Sequence, residues 1–257
     1  MKGRWANKRE GQHFLMDRSI AEIEAAYGEG RRVLEMGSGM GILTEALCKK
    51  AKSVISVEKD RGLFERLEYT LISDKLRLIN KDFFELGDKE IGECDIMISN
   101  IPYKLSSKVV SWLGARSMPA VLCVQKEFAE HMTASPGSKS YSRLSVESEL
   151  RFKVYKVRDV PPTCFHPMPH VDSAIVYLVP KKVKIAKRAD EVITALMNHK
   201  KKTLRNALMD SCRTLGVGKE EMSEISAKVG EGSQRPLHMN PEEILEVAEI
   251  VAKRIRA

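Results

Sequence analysis

Val33-Leu34-Glu35-Met36-Gly37-Ser38-Gly39-Met40-Gly41-Ile42 is the stretch on which the fold turns. A short apolar run ends in an acid, three glycines alternate with other residues, and helical periodicity then begins. The run Val33 to Met36 reads as a buried strand, and Ile42 to Lys50 as the helix after it. Glycine at every second position lets the backbone turn sharply and lets a ligand come close to it. The loop by itself leaves the ligand open, because nicotinamide, flavin and S-adenosylmethionine (SAM) sites all use such a turn. Nicotinamide loops more often place the third glycine one residue later, and a ligand without a pyrophosphate does not need the helix N-terminus for anions.

Outward from the loop, strand-like and helix-like segments alternate. Val54 to Val57 is a second strand, and Glu58 ends it, 21 residues after Gly37. A carboxylate there can accept hydrogen bonds from ribose hydroxyls. Leu63, Leu67 and Leu71 mark a helix, and Leu76 to Ile79 a third strand. Asp82 follows it beside Phe83, an acid placed to accept from an adenine amine while the ring packs on the base. Taken singly, each acid is an ordinary strand-end carboxylate; both in register with the glycine loop favour a nucleoside ligand. Asp95 to Ser99 and Ala120 to Val124 are further strands. Upstream, Ser19 with Glu22 reads as a capping box for a helix carrying Ile20, Ile23 and Tyr27. This alternation predicts a doubly wound parallel sheet. Leu150 to Val157 and Val171 to Val179 then read as two strands with no long helix between them, an antiparallel edge on that sheet. Beyond Pro180 the strand signal stops. Residues 190–257 read as helices broken at Gly216 to Gly218, Gly230 to Gly232 and Pro236, with a domain boundary expected near 180–186.

Asn100-Ile101-Pro102-Tyr103 follows the fourth strand. The Asn side-chain oxygen and the Ile101 carbonyl can both accept from one exocyclic amine, Pro102 stiffens the turn, and the Tyr103 ring can stack on the base that carries the amine. A strand-end turn with a half-buried tyrosine is the plainer alternative for these four residues alone.

The chain has 257 residues, 43% of them apolar and 30% charged, a globular balance. No run reaches membrane-spanning length and the N-terminus lacks an apolar signal region, so a cytoplasmic protein is expected. The five scattered cysteines form no C-x-x-C pair, which argues against a disulfide frame or a zinc site. His166 and His170 are separated by prolines and have no helical metal-binding geometry. No metal is expected. The net charge is +8, and residues 181–213 hold 10 Lys and Arg against 3 Asp and Glu. A second cluster is Lys2, Arg4, Lys8 and Arg9. Such clustering suits a polyphosphate partner, although a solvated helix face carries similar charge.

The ordered set of motifs resembles the small-subunit ribosomal RNA adenine dimethyltransferases. It comprises Gly11-Gln12-His13-Phe14-Leu15, the loop from Glu35 to Gly41, Glu58, Asp82, Asn100 to Tyr103, Gln125-Lys126-Glu127, Tyr141 to Ser145, and Pro161 to Ser173 with its Phe165-x-Pro-x-Pro-x-Val-Asp-Ser pattern. The basic run Lys200 to Asn206, taken as a helix, also resembles the family. The resemblance implies a Rossmann-like seven-stranded SAM-methyltransferase sheet over residues 1–182 and a small all-helical RNA-binding domain over 183–257. It implies SAM as methyl donor, held by His13, Leu15, Glu35, Gly37, Gly39, Gly41, Glu58, Asp82, Phe83 and Asn100. It implies dimethylation of N6 on two adjacent adenosines in the hairpin loop near the 3′ end of small-subunit rRNA, by a monomer acting on a partly assembled subunit. Asn100, Ile101, Pro102, Tyr103 and Phe165 would serve the target base, and Arg143, Lys200, Lys201, Lys202 and Arg205 the RNA. His13 stands where many relatives carry Asn, so a backbone contact at Leu15 is the firmer expectation. Under this reading the two acceptors favour a pyramidal amine whose lone pair faces the methyl donor, and Tyr103 and Phe165 clamp the base through a second transfer. Alternatives are a methyltransferase for adenine in another nucleic acid, and a SAM-binding ribosome-assembly factor with little turnover. A dehydrogenase fits less well, since nothing resembles a hydride-acceptor site.

Overall fold

The computed structural model describes residues 12–229 and 233–255. Gly11, the cluster from Lys2 to Arg9 and the break at Gly230 to Gly232 lie outside the described residues. The chain opens with β1 (Phe14–Leu15), α1 (Arg18–Ala26), β2 (Arg32–Met36), α2 (Ile42–Lys50), β3 (Ser53–Glu58), α3 (Arg61–Thr70) and β4 (Leu76–Asn80). It continues with α4 (Asp88–Ile91), β5 (Ile96–Asn100), α5 (Ser106–Arg116), β6 (Ala120–Gln125), α6 (Lys126–Met132), α7 (Arg143–Arg151), β7 (Phe152–Val160), β8 (Phe165–His166) and β9 (Ser173–Pro180). The remainder is helical: α8 (Lys187–Asn198), α9 (Leu204–Asp210), α10 (Cys212–Leu215), α11 (Lys219–Ser226) and α12 (Pro241–Arg254).

Seven strands form one sheet in the order β4-β3-β2-β5-β6-β9-β7. The pairs from β4 through β6 are parallel, and β9 runs antiparallel to β6 with Leu122 opposite Val176. This is the Rossmann-like α/β sheet with the expected antiparallel edge. The central strands are apolar on both faces because helices cover both. Val33, Leu34, Ile96, Met97, Ile98, Val121 and Leu122 are all fully buried. The chain builds outward from β2 to β4 and then crosses back to β5, so the strand order reverses between β2 and β5. Ligands of open α/β sheets bind beyond the strand ends at such a reversal. Ser99 ties the two strands together there, donating its hydroxyl to the Met36 carbonyl at 2.6 Å.

Several local expectations change. Asp17, not Ser19, caps α1: its carboxylate accepts the Ser19 amide at 2.8 Å and the Ser19 hydroxyl at 2.7 Å. An acid two residues ahead outcompetes a hydroxyl for the free amides of the first turn. Leu150 belongs to α7, since the Ser142 amide is capped by Ser145 Oγ at 2.9 Å and Val146 and Leu150 form a helical stripe. The strand therefore starts at Phe152. Lys200 to Lys202 form a turn, and the helix begins at Leu204 behind the Thr203 cap. The short pair β1–β8 sets Leu15 opposite Phe165 and has no periodic sequence signal, because two residues per strand are too few to show a period.

By contacts the chain divides into two units. One takes the described residues up to Ala129 together with Val154–Pro180; the other takes Glu130–Lys153 and the described residues from Lys181 onward. A single cut near 182–183 thus leaves out 130–153, which groups with the C-terminal helices. The reason is packing: Tyr141, Val146 and Leu150 share one core with Val192, Leu196, Leu208, Ile244 and Val251. Within that core Tyr141 is fully buried and donates its hydroxyl to the Met239 carbonyl at 2.8 Å.

Candidate active site

A cavity of about 560 Å³ opens at the C-terminal ends of the parallel strands. Each strand contributes its first loop residues: Gly37 and Gly39 after β2, Glu58 at the end of β3, Asp82 and Phe83 after β4, Asn100 to Leu105 after β5. Gln12, His13 and Phe14 close one side, with Cys123 and Phe165. Gly37 has φ +80°, and an added Cβ there would meet no protein atom within 4 Å, so open space lies beside it. Gly39 has φ +54°, and an added Cβ would stand 2.9 Å from the Phe14 ring. Only glycine serves either place without strain.

The two acids are held by the backbone. Glu58 accepts the amides of Gly39 at 2.9 Å and Asp60 at 2.8 Å. Burial raises its carboxyl above the ordinary value, against those two hydrogen bonds. Asp82 accepts Lys59 Nζ at 2.8 Å and the Phe84 amide at 3.0 Å, and its carboxyl is held below the usual range, chiefly by Lys59. Both acids line the cavity, and a carboxylate has lone pairs enough to accept a ligand hydroxyl or amine as well. Phe83 is buried, its ring edge-on to Trp112 at 5.0 Å.

At the other end stands Asn100. Its Nδ2 donates to Glu24 Oε2 at 3.1 Å, while its Oδ1 is buried with no partner. A buried acceptor without a donor is uncommon in a native fold, and this one belongs to a residue that lines the cavity. Tyr103 shares a hydrogen bond with Ser173 Oγ at 2.7 Å, and its ring stacks on His13 at 5.7 Å between centroids. His13 Nδ1 donates to the Pro167 carbonyl at 2.6 Å, which fixes the imidazole in place. Phe165 is 6% exposed and lines the same cavity.

Three residues expected at the cofactor do not line the cavity. Glu35 is buried behind the loop, accepting from Thr44 Oγ1 at 2.7 Å and Ser56 Oγ at 2.5 Å. Burial pushes its carboxyl up to about 7, and its bonds to Thr44 and Ser56 brace the loop from behind. Gly41 caps α2 in a left-handed conformation, packed against Leu67. Leu15 is buried in the core, and the lining stops at Phe14.

The basic residues expected at RNA lie in the other unit. Arg143 pairs with Glu147 and Asp190, each at 3.7 Å. Lys200 donates to the Tyr141 carbonyl and Lys202 pairs with Asp210, whereas Lys201 and Arg205 are exposed. Sequence reasoning missed Glu24 and Ser173. Glu24 had a signal, since it falls on the α1 stripe of Ile20 and Tyr27, where an apolar residue belongs. Ser173 had none.

The family model described as ribosomal RNA adenine dimethylase matches residues 3–252. A relative from Methanopyrus kandleri, described as a probable ribosomal RNA small subunit methyltransferase A, is 38% identical over 253 residues, covering 94% of this chain and 90% of its own. The crystal structure of a dimethyladenosine transferase from Plasmodium falciparum superposes with a TM-score of 0.77 at 27% identity, covering 94% of this chain and 98% of its own. The 23S rRNA methyltransferase ErmE superposes with a TM-score of 0.62 at 25% identity, covering 92% of this chain and 98% of its own. The chain therefore belongs to the ribosomal RNA adenine dimethylase family: it is a SAM-dependent methyltransferase that dimethylates adenine in ribosomal RNA.

Proposed function

We propose that this cavity dimethylates N6 of two adjacent adenosines in the hairpin loop near the 3′ end of small-subunit rRNA, within a partly assembled subunit, and that the protein acts as a monomer. The observation that carries the site assignment is the unpartnered Oδ1 of Asn100, on a residue that lines the cavity.

The donor set fits SAM. Open space beside Gly37 gives the ligand a close approach to the backbone, Glu58 suits ribose hydroxyls, and Asp82 beside Phe83 suits an adenine amine on a packed ring. When bound, SAM supplies a methyl group made electrophilic by a positively charged sulfur. The protein's part is orientation. Asn100 Oδ1 and the Ile101 carbonyl accept the two hydrogens of the target amine, which draws the nitrogen out of conjugation with its ring. Pro102 stiffens the turn that aims both oxygens. Tyr103 presents a ring already held by Ser173 and His13, and Phe165 faces the base from the other side. Stacking of this kind contributes ~1–3 kcal/mol per base. Orientation of this quality lowers a barrier by up to roughly 7–11 kcal/mol. No general base is required before attack, because the amine proton becomes acidic once the nitrogen gains a bond. After the first transfer one hydrogen remains, so one acceptor loses its partner and the aromatic clamp holds the base. In the helical unit, exposed Lys201 and Arg205 are proposed to meet RNA phosphates, joined by Lys200, Lys202 and Arg143 when their present partners yield.

The test is incubation with isotope-labelled SAM and immature small subunits, followed by mass-spectrometric mapping of the RNA. Two neighbouring dimethyladenosines in the 3′ hairpin are expected. Label at other nucleotides contradicts the substrate assignment. In the same assay Phe165→Ala should accumulate monomethyl product; an unchanged ratio and rate would reject the clamp.

A further inference from the structure

Glu24 is left over by the mechanism. It lies on α1 among Ile20, Ala21 and Ala25, all buried, and is itself 0% exposed. Oε2 accepts Asn100 Nδ2 at 3.1 Å, and Oε1 is buried with no partner. An apolar side chain would fill this place at lower cost than a carboxyl with half its hydrogen-bonding capacity unused. What an apolar residue does not do is tell the two ends of an amide apart. The Asn100 oxygen and nitrogen are nearly the same size, and with the amide reversed the cavity would face two N–H donors instead of an acceptor.

We propose that Glu24 is a positioning residue whose carboxylate fixes the Asn100 amide with its oxygen toward the cavity, where it accepts a hydrogen from the target amine. This deepens the reading above and rests on Asn100 as that acceptor. The charge state of Glu24 sets how firmly the amide is held. A carboxylate only accepts, so it takes Nδ2–H and nothing else. A protonated carboxyl also has an O–H, which can donate to Asn100 Oδ1 and hold the amide reversed. The groups around Glu24 are Asn100 on β5, Glu35 on β2 and the Cys123 thiol on β6. Burial raises the Glu24 carboxyl to about 8, with Glu35 adding to the rise and the Asn100 hydrogen bond opposing it. Cys123 is held well above its ordinary value by burial and stays neutral. The locked orientation therefore gains population as pH rises through the Glu24 transition.

The experiment follows the Asn100 side-chain amide by NMR from about pH 6 to about pH 9.5, alongside single-turnover methyl transfer. The wild-type amide should shift in one step that is absent from Glu24→Gln, because glutamine both donates and accepts at every pH. The wild-type rate should rise several-fold over the same step. Glu24→Gln should be flat with pH and about two- to tenfold slower, with the loss in kcat and not in the KM for RNA, as expected when the competent orientation is a fraction of the total. A wild-type Asn100 amide that ignores pH, or a Glu24→Gln enzyme that keeps the wild-type pH step, overturns the proposal. The wild-type titration decides even if the variant fails to fold. Asn100→Ala separates the two layers: wild-type rates there reject the acceptor itself, whereas an inactive Asn100→Ala with a pH-insensitive wild-type amide rejects Glu24 alone.

Discussion

The two ends of the cavity are built differently. At the β3 and β4 end, Glu58 and Asp82 already accept two hydrogen bonds each from backbone amides and Lys59. At the β5 end, Asn100 keeps a buried oxygen with no donor at all. The first arrangement is stable without a ligand and suits a molecule that must bind and leave many times. The second is costly without a ligand and is satisfied only when a donor arrives, which is where interaction energy can act on the reacting atom and not only on affinity. On the proposed reading, one end serves binding and the other orients the amine.

That contrast can be broken by substitution. Asn100→Ala should slow single-turnover methyl transfer about 10²–10³-fold, the scale seen when one preorganised partner of a reacting centre is removed. Calorimetry should find SAM affinity in that variant falling far less than the rate, even though the family resemblance also places Asn100 among the cofactor contacts. Glu58→Ala should show the reverse: SAM affinity falls by roughly tenfold or more, matching loss of a hydrogen bond to a charged group, while the rate at saturating cofactor changes less. Equal losses of both quantities in both variants would erase the distinction between the two ends. Lys201→Ala and Arg205→Ala should each weaken RNA binding a few-fold and lower the salt slope by about one, leaving SAM affinity untouched.

Stability against pH sharpens the comparison in another way. Glu24 and Glu35 are both raised, to about 8 and about 7, by burial first of all. A raised carboxyl favours the protonated folded state, so its contribution is complete below the unfolded value of 4.5 and is lost as pH climbs through the folded value. The protein should therefore melt lower at about pH 8.5 than at about pH 6, and Glu24→Gln should narrow that difference. An unchanged difference would place the titration elsewhere.

The sheet was legible because most of its strands are short, largely apolar runs bounded by Gly, Pro and acid, and these signals are local. The α2 helix starts at Ile42 because the glycine loop must end there, and both reading and structure agree on Ile42–Lys50. The cavity's loops after β2, β3, β4 and β5 were legible for the same reason, since each lies at the end of a recognisable strand, whereas His13, Phe14 and Phe165 were marked only by the family resemblance. Three features were not. Residues 130–153 join the helical unit through Tyr141, Val146 and Leu150, contacts that no local period reveals. The basic run looked like a helix by composition, yet Thr203 caps one only afterwards. Glu35 reads as a ligand-facing acid because it precedes the loop, but the side chain of a strand alternates faces, and this one points to Thr44 and Ser56. Glu24 was visible only as a charge on an apolar stripe, a signal whose meaning depends on Asn100 lying 76 residues away.

A crystal structure with SAM and an adenosine-bearing RNA hairpin bears most directly on the division of the cavity into a binding end and an orienting end. The target N6 should lie within about 3 Å of both Asn100 Oδ1 and the Ile101 carbonyl, with SAM's ribose on Glu58. A target amine elsewhere, with Asn100 Oδ1 still unpartnered or turned away behind its own nitrogen, would contradict the account.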